Sequence, residues 1–303
     1  MSTSPLSPTT AAPPTDPVPR GWFRRTALAH PILLLVGVAI PFVWTTQMGS
    51  ALAGVDLMPA KLAELLLLVG LVIAITRATD GRRGVRQLFA GLLRWRLGWR
   101  YLVLVVPMPL LTLGVAAATG TLHQPPGGWA LLGLIYLFFL AAGAVSANLW
   151  EETVWGAFVQ GRLMTRHGLL VGSLLTAVPV YLIHLPLAFE IDGWSGTTWR
   201  DAFITWGVLL LAAPFQRYLI GTLLIDTRGS TLAAGLMHAS INAAGAMAIN
   251  PGGWQYIPAL IILTLAVVAV RSWRGLSPTD GYAPAITPAS EAAADRTVLG
   301  ATP

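Results

Sequence analysis

Two adjacent glutamates, Glu151 and Glu152, lie in an otherwise apolar stretch of this sequence. From Trp129 to Ala147 the chain carries no charged residue, and Phe158 and Val159 continue the apolar character afterwards. A carboxylate in hydrocarbon is costly unless it has a partner, so acids inside a membrane segment mark candidate functional sites. Such a carboxylate can act as a general base that takes a proton from water.

Two further apolar segments each contain one histidine, His184 and His238. Asn242 follows His238 by four residues, which places both side chains on one face of a helix. A histidine and an asparagine can donate hydrogen bonds to an oxyanion. Glu151 and the two histidines could instead hold a zinc ion that keeps one position open for water.

Polar residues in membrane helices also have a purely structural use, because they form hydrogen bonds between helices. For Asn242 alone we favour this interpretation, and for Glu64 we predict a structural or interfacial role. Two adjacent glutamates are harder to explain this way, since neighbours on a helix point about 100° apart and need separate partners. Arg217 is predicted either to mark the inner end of a helix or to pair with Asp226.

The composition indicates a membrane protein. Of 303 residues, 55% are hydrophobic and 11% are charged, where soluble domains have about 25% charged residues. The chain has no cysteine, which excludes disulfides, zinc–thiolate sites and thiol nucleophiles. The net charge of +6 comes almost wholly from arginine, and topology with anionic lipid explains it more simply than nucleic acid does.

The sequence therefore predicts an all-α, polytopic membrane bundle in a single domain, residues 23–274, between disordered tails at 1–22 and 275–303. Seven arginines lie between residues 77 and 100 together with leucines at helical spacing, which indicates an amphipathic helix on the inner surface. The predicted spans number about eight: 28–48, 58–76, 101–119, 130–163, 169–188, 202–225, 230–248 and 254–270.

The distribution of basic residues predicts the orientation. In the eight-span arrangement, all but two of the nineteen arginines and lysines lie inside or at inner helix ends; the exceptions are Lys61 and Arg200. This asymmetry places both termini in the cytoplasm of a multi-pass protein of the cell membrane. At 1.5 Å per residue, Glu151, His184 and His238 can share one level in the cytoplasmic half of the membrane.

The three motifs, taken in order, resemble a known family. A Glu-Glu pair followed by Trp155, then His184-Leu-Pro-Leu, then His238-x-x-x-Asn242, resembles the CAAX-protease and bacteriocin-processing (CPBP, Abi-type) intramembrane metalloproteases. Two Arg-rich stretches, 81–84 and 94–99, and the Gly229-Ser230 pair are similar to the same family. The resemblance covers about residues 77–245. Within the predicted membrane domain, we place the family-like core at about residues 77–250.

The resemblance implies roles for five catalytic residues. Glu151 would activate water beside His184, His238 and Asn242 would bind the oxyanion, and Glu152 would support the site. The family is usually called metalloprotease, but a metal-free glutamate mechanism is also argued for it, so both zinc and no metal stay open.

One position departs from the family pattern. The resemblance implies an arginine four residues after the second glutamate, where this chain has Gly156. Glu152 is therefore expected to lack its cationic partner, and Arg162 could replace it only through a helix bend or another contact.

The sequence and the resemblance are compatible with three functions of different classes. The first is an intramembrane endopeptidase that cuts a peptide or protein near the cytoplasmic face. The second is a catalytically weak relative that binds peptides or confers bacteriocin self-immunity, which Gly156 favours. The third is a proton-coupled transporter, against which stands the lack of an internal repeat. The expected partners are a peptide or protein substrate and membrane lipid, without nucleic acid; the sequence indicates neither the substrate's identity nor the oligomeric state.

Overall fold

The computed structural model describes residues 21–247 and 253–276, and within them all regular structure is helical. The predicted tails lie almost wholly outside the described residues. The all-α prediction is confirmed. The helices, with a 3-10 turn at Gly91–Leu93, are α1 (Trp22–Ala29), α2 (Pro31–Ala53), α3 (Met58–Ala90), α4 (Arg100–Val105), α5 (Pro107–Ala118) and α6 (Gly128–Gly143).

The helical path continues beyond α6 with little interruption. Two π-helical segments, Ala144–Asn148 and Glu152–Gln160, flank the one-turn helix α7 (Leu149–Glu151). After them come α8 (Gly161–His184), a 3-10 turn (Leu185–Phe189), α9 (Gly193–Gly196), α10 (Trp199–Asp226), α11 (Thr231–Gly245) and α12 (Tyr256–Trp273).

Six helical segments in the described part of the chain are long and apolar enough to cross a membrane. One of them, Gly128–Phe189, has 62 residues, about 93 Å at 1.5 Å per residue, which is far more than one crossing needs. It divides at Gly168, whose φ of 75° breaks the helix. With this division, and with the 15-residue α11 as a shorter helix, the structure contains a helical counterpart for each of the eight predicted spans.

The predicted inner-surface helix is only partly correct. A break at Gly81, with φ 68° and ψ −162°, separates a second helical segment from the rest of α3. This segment ends with the 3-10 turn at Leu93, and residues 94–99 are not helical. The prediction extended the helix too far because the helical spacing of arginines and leucines continues through residues 94–99, where the backbone is not helical.

Two apolar cores meet at the glutamate pair. One core joins α1, α2 and α3 to Val154, Trp155 and Phe158 of the second π-helical segment. The other core joins α4, α5 and α6 to α10, α11 and α12. The segment that carries Glu152 therefore packs on the first core, while its polar partners come from helices of the second.

Helices α8 and α10 approach each other closely at Gly221. A Cβ at this position would lie 2.6 Å from Gln160 Nε2, 2.7 Å from Leu169 Cδ1 and 2.9 Å from Ser173 Oγ. A Cβ at Gly207, on the same helix, would meet no neighbouring atom within 4 Å. The contact between these two helices therefore depends on the missing side chain at Gly221.

This contrast predicts opposite effects for two alanine substitutions in one helix. Gly221→Ala should lower the stability by about 1–3 kcal/mol, because overpacking forces side chains or backbone to move. Gly207→Ala should leave stability unchanged or raise it slightly, since alanine is the better helix former. Thermal unfolding of the two purified variants in detergent measures the difference, and equal Tm values would contradict the close contact at Gly221.

Candidate active site

The glutamate pair lies where the chain changes from α-helical to π-helical geometry. The first π-helical segment ends at Asn148, before the pair, and the second begins at Glu152. Such wide turns are rare and occur frequently at functional sites. The indole of Trp150 donates to the carbonyl of Val145 at 2.9 Å, and Thr153 Oγ1 donates to Leu149 O at 2.9 Å. Side chains therefore supply extra hydrogen bonds to backbone carbonyls of the irregular helix around Glu151.

Glu152 is fully buried, and both of its carboxylate oxygens have a partner. Arg217 Nη1 donates to Oε2 at 3.1 Å, and Arg217 Nη2 donates to Oε1. His238 Nδ1 lies 2.8 Å from the same Oε1. Because an ionised carboxylate only accepts hydrogen bonds, Nδ1 of His238 is the protonated ring nitrogen. Three helical segments are thus joined at one carboxylate.

The expectation that Glu152 lacks a cationic partner is wrong. Arg217 supplies the charge from α10, and its side chain is only 1% exposed. Both predictions for Arg217 itself are also wrong. Arg217 lies inside α10 and not at its end, and Asp226 pairs with Arg271 at 2.7 Å. Arg162 pairs with Asp80 at 3.3 Å and donates to Phe158 O at 3.0 Å.

Buried hydrogen bonds fix the backbone that carries Arg217. Gln160 Nε2 donates to the carbonyl oxygen of Arg217 at 2.6 Å and to Ser173 Oγ at 3.0 Å. Gln160 and Ser173 are completely buried, and the close helix contact at Gly221 lies one turn from Arg217. The position of the guanidinium therefore depends on the packing of α8 against α10.

Glu151 differs from its neighbour in exposure and in partners. Its side chain keeps 22% of its surface exposed. Asn148 Nδ2 donates to Glu151 Oε2 at 3.2 Å, and His238 Nδ1 lies 3.7 Å from the same oxygen. The latter distance is too long for a hydrogen bond but short enough for attraction between charges. Glu151 is thus the accessible carboxylate of the pair.

The ring of His184 contacts a carbonyl of its own helix, and two tryptophans bind the backbone next to it. Its Nδ1 lies 2.6 Å from the carbonyl of Val180, so this nitrogen donates and Nε2 is the acceptor in the neutral ring. Trp44 Nε1 donates to Leu182 O, and Trp206 Nε1 donates to Leu185 O, each at 2.9 Å. Indoles from α2 and α10 therefore fix the backbone on both sides of His184.

The predicted site residues come together to different degrees. Glu151, Glu152 and His238 are in direct contact, as described above, and His184 lies within electrostatic range of Glu151 and His238. Asn242 is exposed, and the described residues provide no hydrogen-bond partner for its amide. Glu64, for which the sequence predicts a structural or interfacial role, accepts a hydrogen bond from Gln47 at 2.6 Å and lies within electrostatic range of Glu151.

The zinc alternative that the sequence suggested involves Glu151, His184 and His238, and it stays a prediction. In residues 21–247 and 253–276, no three histidine, aspartate or glutamate side chains are grouped closely enough to hold a metal ion.

The burial of the Arg217–Glu152 ion pair predicts how much stability is lost when one partner is removed. Removing one partner from a fully buried pair leaves an uncompensated charge, which costs about 3–5 kcal/mol. Glu152→Gln should show a loss of this size. Glu190→Gln breaks the Lys61–Glu190 pair, in which both side chains are partly exposed, and should cost about 1 kcal/mol or less. Denaturant unfolding in mixed micelles measures both, and equal losses would contradict the difference in burial.

Comparison with known families places the site inside a matched segment. Residues 127–244 match the family model described as "Type II CAAX prenyl endopeptidase Rce1-like". No curated protein and no solved structure matches the chain. The matched segment contains both glutamates, both histidines, Arg217 and Asn242, whereas the Arg-rich stretches at 81–84 and 94–99 lie outside it. The predicted resemblance is confirmed for this segment: residues 127–244 match the model of an Rce1-like domain, consistent with the CAAX-protease and bacteriocin-processing family.

Proposed function

We propose that this protein is an intramembrane endopeptidase that hydrolyses a peptide bond of a peptide or protein substrate near the cytoplasmic face. The observation that carries the proposal is the unequal state of the two adjacent glutamates. Glu152 is fully buried with both oxygens occupied, whereas Glu151 is partly exposed, 3.7 Å from His238 and within electrostatic range of His184. One carboxylate is thus suited to support the site, and the other to react with water.

The reaction begins with water held between Glu151 and His184. Glu151 takes a proton from the water, and the resulting hydroxide oxygen attacks the carbonyl carbon of the scissile bond. Because Nδ1 of His184 donates to Val180 O, its Nε2 is free to accept a hydrogen bond from the same water. The histidine therefore orients the nucleophile, and Glu151 removes its proton.

The developing oxyanion needs donors, which α11 provides. The amide of Asn242 can donate directly, and Nε2 of His238 donates when the ring carries a second proton. Glu152 accepts the hydrogen bond from Nδ1 of His238 at 2.8 Å and so fixes the ring. When the intermediate collapses, the carbon–nitrogen bond breaks, and Glu151 returns its proton to the leaving nitrogen.

The substrate class follows from the family description and the membrane setting. Since the matched model is named for a prenyl endopeptidase, a prenylated C-terminal peptide is the first substrate to test, followed by a bacteriocin-type leader peptide. The alternative of a catalytically weak relative was based on a missing partner for Glu152. Arg217 provides that partner, so this reason for weak activity no longer holds.

Substitution of the reacting groups tests the proposal. Glu151→Gln keeps the shape and removes the base, so turnover should fall by a factor on the order of 10² or more. His184→Ala should cause a similar fall. Glu190→Gln is the matched control, because Glu190 is an exposed carboxylate paired with Lys61 at 2.7 Å, and its activity should stay at the wild-type level. The assay measures cleavage of both peptide classes by purified protein in detergent, with and without a chelator. Wild-type rates in both Glu151→Gln and His184→Ala would overturn the assignment.

The proposed orientation, with both termini cytoplasmic in the cell membrane, predicts a labelling pattern in this cysteine-free chain. Gln124, between α5 and α6, and Arg96, between α3 and α4, are both exposed. A cysteine at position 124 should react with a membrane-impermeant thiol reagent on intact cells, and one at position 96 should react only after the membrane is opened. The reverse pattern would show the opposite orientation.

A further inference from the structure

Arg217 is the one group among the described residues that reaches both oxygens of the Glu152 carboxylate. The guanidinium forms the two-pronged contact that a planar arginine makes with a carboxylate, through Nη1 to Oε2 and Nη2 to Oε1. Two parallel bonds fix the plane of the carboxylate, which a single point charge does not. Both side chains are shielded from solvent, so water does not compete for the contact.

The orientation of Glu152 in turn determines the orientation of His238. Oxygen Oε1 binds Arg217 on one side and Nδ1 of His238 on the other. A rotation of the carboxylate would therefore move the acceptor away from the imidazole. His238 also lies 3.7 Å from Glu151, so a tilt of its ring would change the surroundings of the reacting carboxylate as well.

The helix that carries Glu152 has no room for a competing arginine in the present arrangement. At Gly156, one turn further along, a Cβ would lie 2.7 Å from Glu152 Oε2 and 3.6 Å from Leu224 Cδ1. The oxygen that it would meet is the one held by Arg217 Nη1. A side chain at position 156 and the Arg217 contact therefore exclude each other, unless Glu152 moves.

We propose that Arg217 is a positioning residue of this site, which orients Glu152 and, through it, His238 from α10, in the place of an arginine at position 156. This inference rests on the proposed peptidase function and adds to it a residue that acts without touching the substrate. The resemblance described above implies an arginine at position 156. Here Gly156 has no side chain and so leaves space for the Glu152 carboxylate, and the cation comes from Arg217 of α10.

The first test uses kinetics. Arg217→Met should lower kcat by about 10²-fold with a small change in KM, because misplacing a reacting group costs rate more than binding. Arg217→Lys, which keeps the charge but not the two-pronged contact, should recover only part of the loss. Arg271→Met is the matched control, since it removes another buried arginine from a carboxylate pair, and its kcat should stay close to wild type.

The second test moves the arginine. Gly156→Arg alone should lower activity, because the new side chain meets a carboxylate that Arg217 already holds. In the double variant Gly156→Arg with Arg217→Met, the carboxylate is free to turn toward position 156. The double variant should then be at least several-fold more active than Arg217→Met. A double variant no more active than Arg217→Met would overturn the idea that the two positions are alternatives.

A third measurement does not depend on activity. In protein labelled with ¹⁵N-histidine, Arg217→Met should shift the ring resonances of His238, assigned through His238→Ala, and leave those of His30 and His123 in place. Unchanged His238 resonances, or wild-type kcat and KM in Arg217→Met, would overturn the positioning role. If wild-type protein cleaves neither peptide while the shift is present, the proposed function fails, and the coupling of Arg217 to His238 stands.

Discussion

The buried contact between Arg217 and Glu152 is the interaction on which the rest of the site depends. An ionised carboxylate in an apolar interior is stable only when charge and hydrogen bonds compensate for the lost water. Here the carboxylate binds a guanidinium from α10 and an imidazole from α11. Since α10, α11 and the π-helical segment all contribute, the three elements cannot shift independently. The ion pair therefore fixes the relative placement of the helices that carry the reactive groups.

The same principle explains how the backbone around the site tolerates irregularity. A membrane helix must satisfy every backbone group internally, and neighbouring side chains do this where a helix is broken. Pro186 has no N–H, so it cannot donate to the carbonyl four residues earlier, that of Leu182. The backbone N–H of Leu185 and the indole of Trp44 both donate to this carbonyl. The irregular turn beside His184 is therefore stabilised by a group from another helix.

Much of the fold could be predicted from sequence because hydropathy and helix length are local properties. The glutamate pair and the two histidines were also predictable, since polar groups in apolar segments are rare enough to identify. Arg217 carried the same signal: it is a cation among apolar residues of α10, with Phe215 and Tyr218 nearby. Its partner could not be predicted, because an ion pair between helices depends on packing that no spacing rule describes. The roles of Trp44 and Trp206 were missed for the same reason.

The two adjacent glutamates show how neighbouring residues of one type acquire different functions. Their different directions from the helix place Glu152 between the two apolar cores and leave Glu151 partly accessible. Both oxygens of Glu152 are held by hydrogen bonds, whereas Glu151 keeps one oxygen without a partner among the described residues. The direction of each side chain thus decides which one supports the site and which one reacts with water. Because Arg217 fixes the buried carboxylate, it also maintains this difference between the two.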